Sequence, residues 1–270
     1  MGVMVLIRVY FNYIRALIMK KNLLLFISLL FAGLSSKAQV SVADSVMPVP
    51  LIDMSYAFQV PGGDLAERFG NNSNLGLSVF FKSKNNILYG VGGSFIFSNN
   101  VKDTRMINTY LDKDDIPLGL SGLPADIFFY QRGFTLEGKI GKILPLGLNN
   151  PNSGLMIIIG AGIMQHNVRI EDDHADIPML NYKDNKRGYD RMTFGAMTSQ
   201  FIGYRYMGRS RLINFFFGFE LMQGYTKMVR DFQYDIGEIN ESTRFDALYG
   251  IRAGWTLPIY KKAPKEYYFD

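Results

Sequence analysis

The sequence predicts an all-β chain: an eight-stranded, antiparallel, up-and-down transmembrane β-barrel preceded by a cleavable signal peptide. Three observations predict it. Segments long enough to cross a bilayer when tilted alternate apolar side chains with small or polar ones, which is the period of a strand. The connections between these segments are alternately short and long, as in barrels with tight turns on one side of a membrane and loops on the other. The composition holds 21 Phe, 16 Tyr and 27 Gly but no Cys, which favours strands and tight turns and excludes a disulfide framework, a thiolate metal site and a cysteine nucleophile.

The last long segment, residues 245–258, shows the pattern best. Ala247, Tyr249, Ile251, Ala253, Trp255 and Leu257 fall on one face, and Asp246, Leu248, Gly250, Arg252, Gly254 and Thr256 on the other. A greasy outer face over a small, polar inner face describes one stave of a membrane barrel wall.

The amino terminus reads as an export signal. Residues 1–18 are redundant for that purpose and fit a start assigned too early. Residues 19–39 hold Lys20 and Lys21, an apolar run to Leu34, and Ser36 and Ala38 as small residues at a cleavage site. The formal charge of +5 belongs to this segment. Arg8, Arg15, Lys20, Lys21 and Lys37 are its charged residues, and without them the 29 basic side chains fall to 24, equal to the 24 acidic ones. No nucleic-acid partner is implied.

After a periplasmic lead over 40–50, the barrel is expected over 51–260. In strand 1, 51–60, Met54, Tyr56, Phe58 and Val60 face out while Asp53, Ser55, Ala57 and Gln59 face in. Strand 2 covers 74–82, with Leu75, Leu77, Val79 and Phe81 outward. Strand 3 covers 87–97, with Gly90, Gly92 and Ser94 leaving room inside a narrow lumen. Strand 4 is 133–143, and 127–130 are candidates to extend it. Strand 5, 155–168, puts apolar Met156 and Ile158 on the inner face. Strand 6, 192–206, has its outward face interrupted by Thr198 and Gln200, which suggests a bulge. Strand 7 is 213–225. The short connections are 83–86, 145–153 and 208–211. The long ones are 61–73, 98–130, 171–190 and 227–244, and they are expected outside the cell. A polar periplasmic tail, 261–270, ends the chain.

Several loop runs carry a resemblance. The presequence, Pro61 to Gly70, Gly188-Tyr189-Asp190-Arg191 and Gly254-Trp255-Thr256-Leu257-Pro258 resemble the small outer-membrane β-barrel proteins common in Bacteroidetes-type bacteria. The resemblance implies a fold and a location in the cell outer membrane, with lipid as a contact. It implies no activity. The tail departs from it, because such barrels usually end on an aromatic in the final strand and here Phe269 lies beyond it.

Candidate chemistry is sparse. His166 and His174, with Ser199 or Glu171, allow a hydrolase constellation to be drawn, but no spacing fixes it, and a hydrated rim histidine is the plainer reading of His166. The acidic run 171–176 offers oxygen ligands for a divalent cation without the spacing or turn glycine of a calcium loop. No cofactor or metal motif is present, and Pro61-Gly62-Gly63-Asp64 lacks the residues of a phosphate cradle. The inward charges Asp53, Lys82, Glu137, Lys139, Arg205, Glu220 and Arg252 read as a structural lumen network. Within it Glu220 and Arg252, on adjacent strands, are expected to pair, with Glu137 or Lys139 reaching across. The functional expectation is a structural or surface-binding barrel, not an enzyme, whose external loops or tail contact lipid, surface polymer or a partner protein. The alternatives are a lipid-modifying hydrolase and a narrow channel or component of a transport assembly.

Overall fold

The computed structural model describes residues 46–259 except positions 112, 115, 118, 120–122, 147–149, 173–176, 178–186, 209–211, 231, 235–236 and 238–241, and except the side chains at 109 and 110. The expected signal peptide, the tail 261–270 and His174 lie outside the described residues.

Eight strands follow one another in the chain: β1 (Val49–Gly63), β2 (Asn72–Lys82), β3 (Ile87–Ser98), β4 (Ile127–Pro145), β5 (Gly154–Asp172), β6 (Thr193–Met207), β7 (Asn214–Met228) and β8 (Thr243–Pro258). Each pairs antiparallel with its sequence neighbours, and β8 pairs with β1, so the sheet closes and has no edge. Following the ladder round the wall from Asp53, through Ser78, Gly92, Glu137, Gly162, Met197, Gly224 and Asp246, returns to Gly63, ten residues along the starting strand. A stagger of that size on eight strands tilts them roughly 40° from the axis.

The alternation sets which side chains meet lipid. Phe216 and Phe217 are neighbours in sequence, yet Phe216 is 5% exposed and Phe217 58%. Leu75, Leu77, Val79, Leu136, Ile140 and Ile251 stand out in the same way around the wall. A water-facing surface this apolar and continuous would be an aggregation site; facing hydrocarbon it is the favourable arrangement. Closure also lets strands pair their backbone groups all round the wall without water. Trp255 donates its indole Nε1–H to Leu212 O at 2.7 Å, and Tyr206 stacks on Phe215 with centroids 5.0 Å apart, near the end of the barrel where the short turns lie. Amphipathic rings at this level match a membrane interface. The barrel is therefore a membrane-spanning one of the outer-membrane type.

Several boundaries differ from those expected. The lead is shorter, since β1 begins at Val49 rather than 51. The loop expected from 61 begins later, because Pro61, Gly62 and Gly63 continue the ladder opposite Leu248, Ala247 and Asp246. Strand β4 begins at Ile127, and β5 runs on to Asp172 because Ile127–Gln131 gives its upper end a partner. No bulge occurs at Thr198 and Gln200. The β6 ladders to β5 and β7 run through both residues without a skipped position. The polar side chains there simply face outward.

The outer ends of the strands are roofed. A one-turn helix, α1 (Leu65–Arg68), and a 3₁₀ turn over Arg105–Tyr110 lie in the first two long loops. Phe69 bridges Val101 between them. Leu65, Phe69 and Met106 are buried in an apolar cluster with the lumen residues Met164, Met197 and Met222.

Leu77 sits near the middle of β2 and faces lipid. Leu77→Arg is expected to destabilise the folded barrel by about 2–4 kcal/mol in a bilayer, the usual cost of a cation at the midplane of a barrel wall. Equilibrium denaturant titration in vesicles measures this, with Lys82, whose side chain faces the interior, providing no comparable lipid contact.

Candidate functional site: the filled lumen and its outer cap

The interior is built in three layers. The turn end is closed by an apolar cluster that includes Leu51, Phe80, Leu88, Met156, Phe201 and Phe216. The loop end is closed by the cluster under α1 and the 3₁₀ turn. Between them lies a polar belt. Strand parity produces this belt directly, because each inward polar residue is surrounded by wall and has only other inward residues to bond.

Arg252 is central to it. Its Nε donates to Glu220 Oε1 and its Nη2 to Glu220 Oε2, each at 2.7 Å, a bidentate geometry. The two residues are not directly opposite: Arg252 is paired with Gly218, and Glu220 with Gly250. The long arginine side chain spans the two-residue offset. Arg252 also donates to Ser55 Oγ at 2.7 Å and Asn74 Oδ1 at 3.0 Å. Asn74 Nδ2 donates to Ser94 Oγ at 3.0 Å, and Ser94 shares a 2.7 Å bond with Thr135 Oγ1. Gln59 Nε2 donates at 3.1 Å to Glu220 Oε2, the oxygen that also accepts Arg252 Nη2. Three neutral side chains, Ser55, Asn74 and Gln59, thus add hydrogen bonds around the Glu220–Arg252 pair, the condition under which a buried pair is tolerated. Gly76 makes the space. A Cβ there would lie 2.6 Å from Arg252 Nη1.

Glu137 and Lys139 do not reach that pair. They bond each other at 2.9 Å, and Ser199 donates its hydroxyl to the Glu137 carboxylate. Successive inward positions on one strand are close enough for this contact. Gly160 on β5 leaves room for it, since a Cβ there would strike both the carboxylate and the hydroxyl. Arg205 forms a third group. It bonds Asp53, and Asp53 accepts Thr256 Oγ1 at 2.7 Å. The guanidinium lies 5.2 Å from the ring centroid of Phe216 and 6.0 Å from that of Phe80, so aromatic faces take the place of further acceptors. The lumen network is three clusters rather than one, and only a cavity of about 30 Å³, touched by Lys139, Ser199, Glu220 and Arg252, separates them. That is room for about one water.

His166 is not at a hydrated rim. It is 1% exposed, inside the barrel. Its Nε2 lies 2.8 Å from Asp246 Oδ2 and 2.8 Å from Thr193 Oγ1. Thr226 donates to the same Asp246 oxygen at 2.5 Å, and Phe69 meets the imidazole edge-on at 5.7 Å. A relay needs the acid on one ring nitrogen and the nucleophile on the other. Here the Thr193 hydroxyl lies 3.1 Å from Nδ1 as well as 2.8 Å from Nε2, but acid, imidazole and hydroxyl are all buried and sealed from substrate. Ser199 is engaged with Glu137 instead. The hydrolase constellation is therefore not assembled from His166, Ser199 and Glu171. In the acidic run, Glu171 is bound to Arg169 at 2.5 Å and Asp172 accepts the Ile177 amide at 2.8 Å; residues 173–176 lie outside the described residues. Among the described residues no group of three or more His, Cys, Asp and Glu is placed to hold a metal.

Sequence reasoning overlooked Gln59, Asn74 and Asp246 as members of the interior network. All three share inward parity with Asp53, Ser78 and Arg252, so the signal was present in the alternation itself.

The cap over the outer mouth is rich in arginine. Asp103 accepts Arg105 Nε at 2.9 Å and lies 3.4 Å from Arg191 Nε. Arg191 also donates to Gln233 at 3.2 Å. Burial raises the Asp103 pKa, but the Arg105 hydrogen bond and the Arg191 charge outweigh it and hold the carboxyl below 3.8. Arg244 donates to Asp64 O at 2.6 Å, while Asp64 accepts the Phe245 amide at 2.7 Å. Arg68 is buried in α1 with Met228 Sδ 3.9 Å from Nη2. Burial, then the nearby Arg244 and Arg191 charges, lower its pKa to about 10.

No family profile matches the chain, and no curated protein matches it. Solved structures similar in strand arrangement are outer-membrane proteins. Ail of Yersinia pestis, solved with a heparin analogue, is 11% identical with a TM-score of 0.37, covering 78% of this chain and 99% of that one. The amino-terminal barrel domain of Pseudomonas aeruginosa OprF is 12% identical with a TM-score of 0.36, covering 78% and 100%. OprG of Pseudomonas aeruginosa is 12% identical with a TM-score of 0.34, covering 80% and 99%. Values this low transfer no activity; the architecture rests on this chain's own ladder.

Two outcomes follow from the site. Arg252→Met alone is expected to cost about 3–5 kcal/mol, because it leaves Glu220 charged and unpaired, and Arg252→Met with Glu220→Leu is expected to recover most of that loss. Thermal unfolding in detergent reads both. Arg68→Met is expected to raise the midpoint at neutral pH rather than lower it. Its folded pKa, about 10, lies well below that of a free arginine, so the charged form weakens the fold at neutral pH, and that penalty is relieved only as pH rises above about 10.

Proposed function

We propose that the protein is an outer-membrane barrel with a structural or surface-binding role, in which the lumen is a rigid strut and the roofed extracellular face is the working surface. The observation that carries this reading is the filling of the lumen. Apolar plugs close both ends, and the polar belt between them is bonded to itself. An open aqueous path would need continuous space between polar walls; among the described residues the polar belt encloses a cavity of only about 30 Å³. The interior groups that resemble catalytic parts are sealed, with His166 bonded to Asp246 and Ser199 to Glu137. What remains available for contact is the lipid-facing wall and the cap built from the long loops.

The cap is more ordered than a set of solvated loops. Asp190 and Arg230 pair across two loops. The Phe69–Val101 bridge, the Arg191–Asp103 contact and the Asp64–Phe245 bond tie the rest together. A pre-formed surface loses less entropy when it binds than a mobile one. Bilayer lipid is one contact by necessity; a surface polymer or partner protein at the cap is the finer proposal. The kinship with small barrels of Bacteroidetes-type bacteria, and export through residues 19–39 with cleavage near Ala38, belong to the same proposal and are supported by the loop runs and the presequence pattern.

Three measurements test it. Purified barrel in planar bilayers is expected to give no steady conductance; discrete single-channel steps would overturn the strut reading. Crosslinking from intact cells through cap residues is expected to recover a surface component, and deletion of the gene is expected to leave the lipid A mass spectrum unchanged. The cap should also loosen in acid. Asp103 stabilises the fold fully above its ordinary value of 3.8, and this is lost as pH falls through its lowered value. Protease sensitivity of the outer loops should therefore stay flat down to about pH 4 and rise below it, and Asp103→Asn should show the raised sensitivity at neutral pH.

A further inference from the structure

The lipid-facing wall carries a polar patch that nothing inside the barrel explains. Thr198 and Gln200 on β6 and Gln223 on β7 all point outward. Thr198 Oγ1 donates to Gln223 Oε1 at 3.0 Å, and Gln200 Nε2 donates to the same oxygen at 3.2 Å. Both donors use one acceptor. Gln200 Oε1 is buried against the wall and left without a hydrogen bond, and among the described residues the Gln223 amide nitrogen makes none. One unmet acceptor and one unmet donor therefore sit side by side in a wall that is otherwise apolar.

Their depth limits what could satisfy them. Gln200 is the midpoint of β6 (Thr193–Met207), so the patch lies near the bilayer centre. The hydrocarbon core is about 30 Å thick, which places lipid headgroups and water roughly half that distance away. Acyl chains offer no hydrogen bond. The patch also borders two outward clefts that meet at Gln200. One, of about 830 Å³, has a floor of Gly138 and Ala161 between Val91, Ile140, Ile159 and Thr198. The other, of about 480 Å³, lies between Ile157, Ile202, Phe219 and Tyr249. The wall is thus recessed on the β4–β5 side of the amides and bears prominent aromatics on the β7–β8 side.

We infer that this face is the interface of a two-fold homodimer in the membrane, with the Thr198, Gln200 and Gln223 patches of two copies bonded to each other. The occupant is a second copy because the patch complements itself. A two-fold axis beside Gln200 and Gln223 brings the unmet amide N–H of each copy to the unmet carbonyl of the other. An isologous contact needs that reciprocity. Terminal amides turn easily about their last torsion, so Gln200 Oε1 can swing out to the partner. The same axis sets the aromatics on β7 and β8 of one copy, Phe219 and Tyr249 among them, against the recessed Gly138–Ala161 floor of the other. Polar side chains holding barrels or helices together within lipid act in this way because the surrounding solvent cannot compete.

The absence of cysteine makes the test clean. Thr198→Cys and, as a control on the opposite wall, Leu77→Cys are treated with a short bismaleimide in native membranes and in vesicles diluted with excess lipid. A covalent dimer several-fold more abundant for Thr198→Cys, persisting on dilution, is expected. Adding Gln200→Leu and Gln223→Leu to Thr198→Cys should abolish the excess while leaving the folded barrel's heat-modified gel mobility intact. Equal cross-linking at both positions, loss of the product on dilution, a product with a different protein in place of the dimer, or a dimer indifferent to the two leucine substitutions would each overturn the inference.

Discussion

Half of the side chains in a closed eight-stranded wall point into a space that neither water nor lipid reaches, and most of the structure follows from that confinement. A barrel this narrow is filled by its own residues, so each inward polar group must find its partner among the other inward groups. The Glu220–Arg252 pair is the clearest case. It is placed by parity, reached by a two-residue diagonal, and surrounded by Gln59, Ser55 and Asn74. Glycine enters the same constraint as absent volume. Gly76 and Gly160 lie where any side chain would displace Arg252 or separate Glu137 from Ser199. The lumen's charges and its glycines are one arrangement.

The polar belt also settles how the rest of the interior can be composed. A continuous ionic interior would hold water and favour passage; a wholly apolar one would give no preference to one register of closure over another. Here the Glu220–Arg252 and Glu137–Lys139 groups occupy the middle, with Phe80, Met156 and Phe216 below and Met164, Met197 and Met222 above, and Arg205 and His166 lie buried at the levels of the two plugs. Slipping any strand by one residue would turn its belt members to lipid. The belt therefore specifies register while the plugs contribute burial. Methionine suits the upper plug, where irregular loop elements such as α1 and the 3₁₀ turn must be accommodated and an unbranched, adaptable side chain fills uneven gaps.

Much of this was legible in the alternation. A period of two, held over ten residues, fixes orientation for each side chain independently of any neighbour, so inward and outward faces could be read strand by strand, including apolar Met156 and Ile158 on the inside. What could not be read depended on pairing between strands. β5 extends to Asp172 because β4 begins early enough to support it, and His166 is buried because Phe69 and the cap lie above it. Its parity with Met156 and Ile158 announced an inward side chain; its apparent position at a strand end suggested water. The polar pair Thr198 and Gln200 misled in the opposite direction. Read as a defect in the outward pattern they implied a bulge, whereas the unbroken ladder shows that the pattern is intact and the polarity itself is the feature.

That distinction matters for how the two faces of the wall are weighed. The charges inside the barrel pair within the confinement that buries them, Glu220 with Arg252, Glu137 with Lys139 and Asp53 with Arg205. Polar residues on the outside have no such enclosure. Thr198, Gln200 and Gln223 satisfy one another only through a single shared carbonyl, and the medium around them offers nothing more at that depth. The interior groups have one another as neighbours, whereas this sector of the exterior faces lipid. On the proposed reading, a filled lumen and a polar sector in the lipid face direct function outward, to the cap at one end and to a neighbouring wall at the midplane.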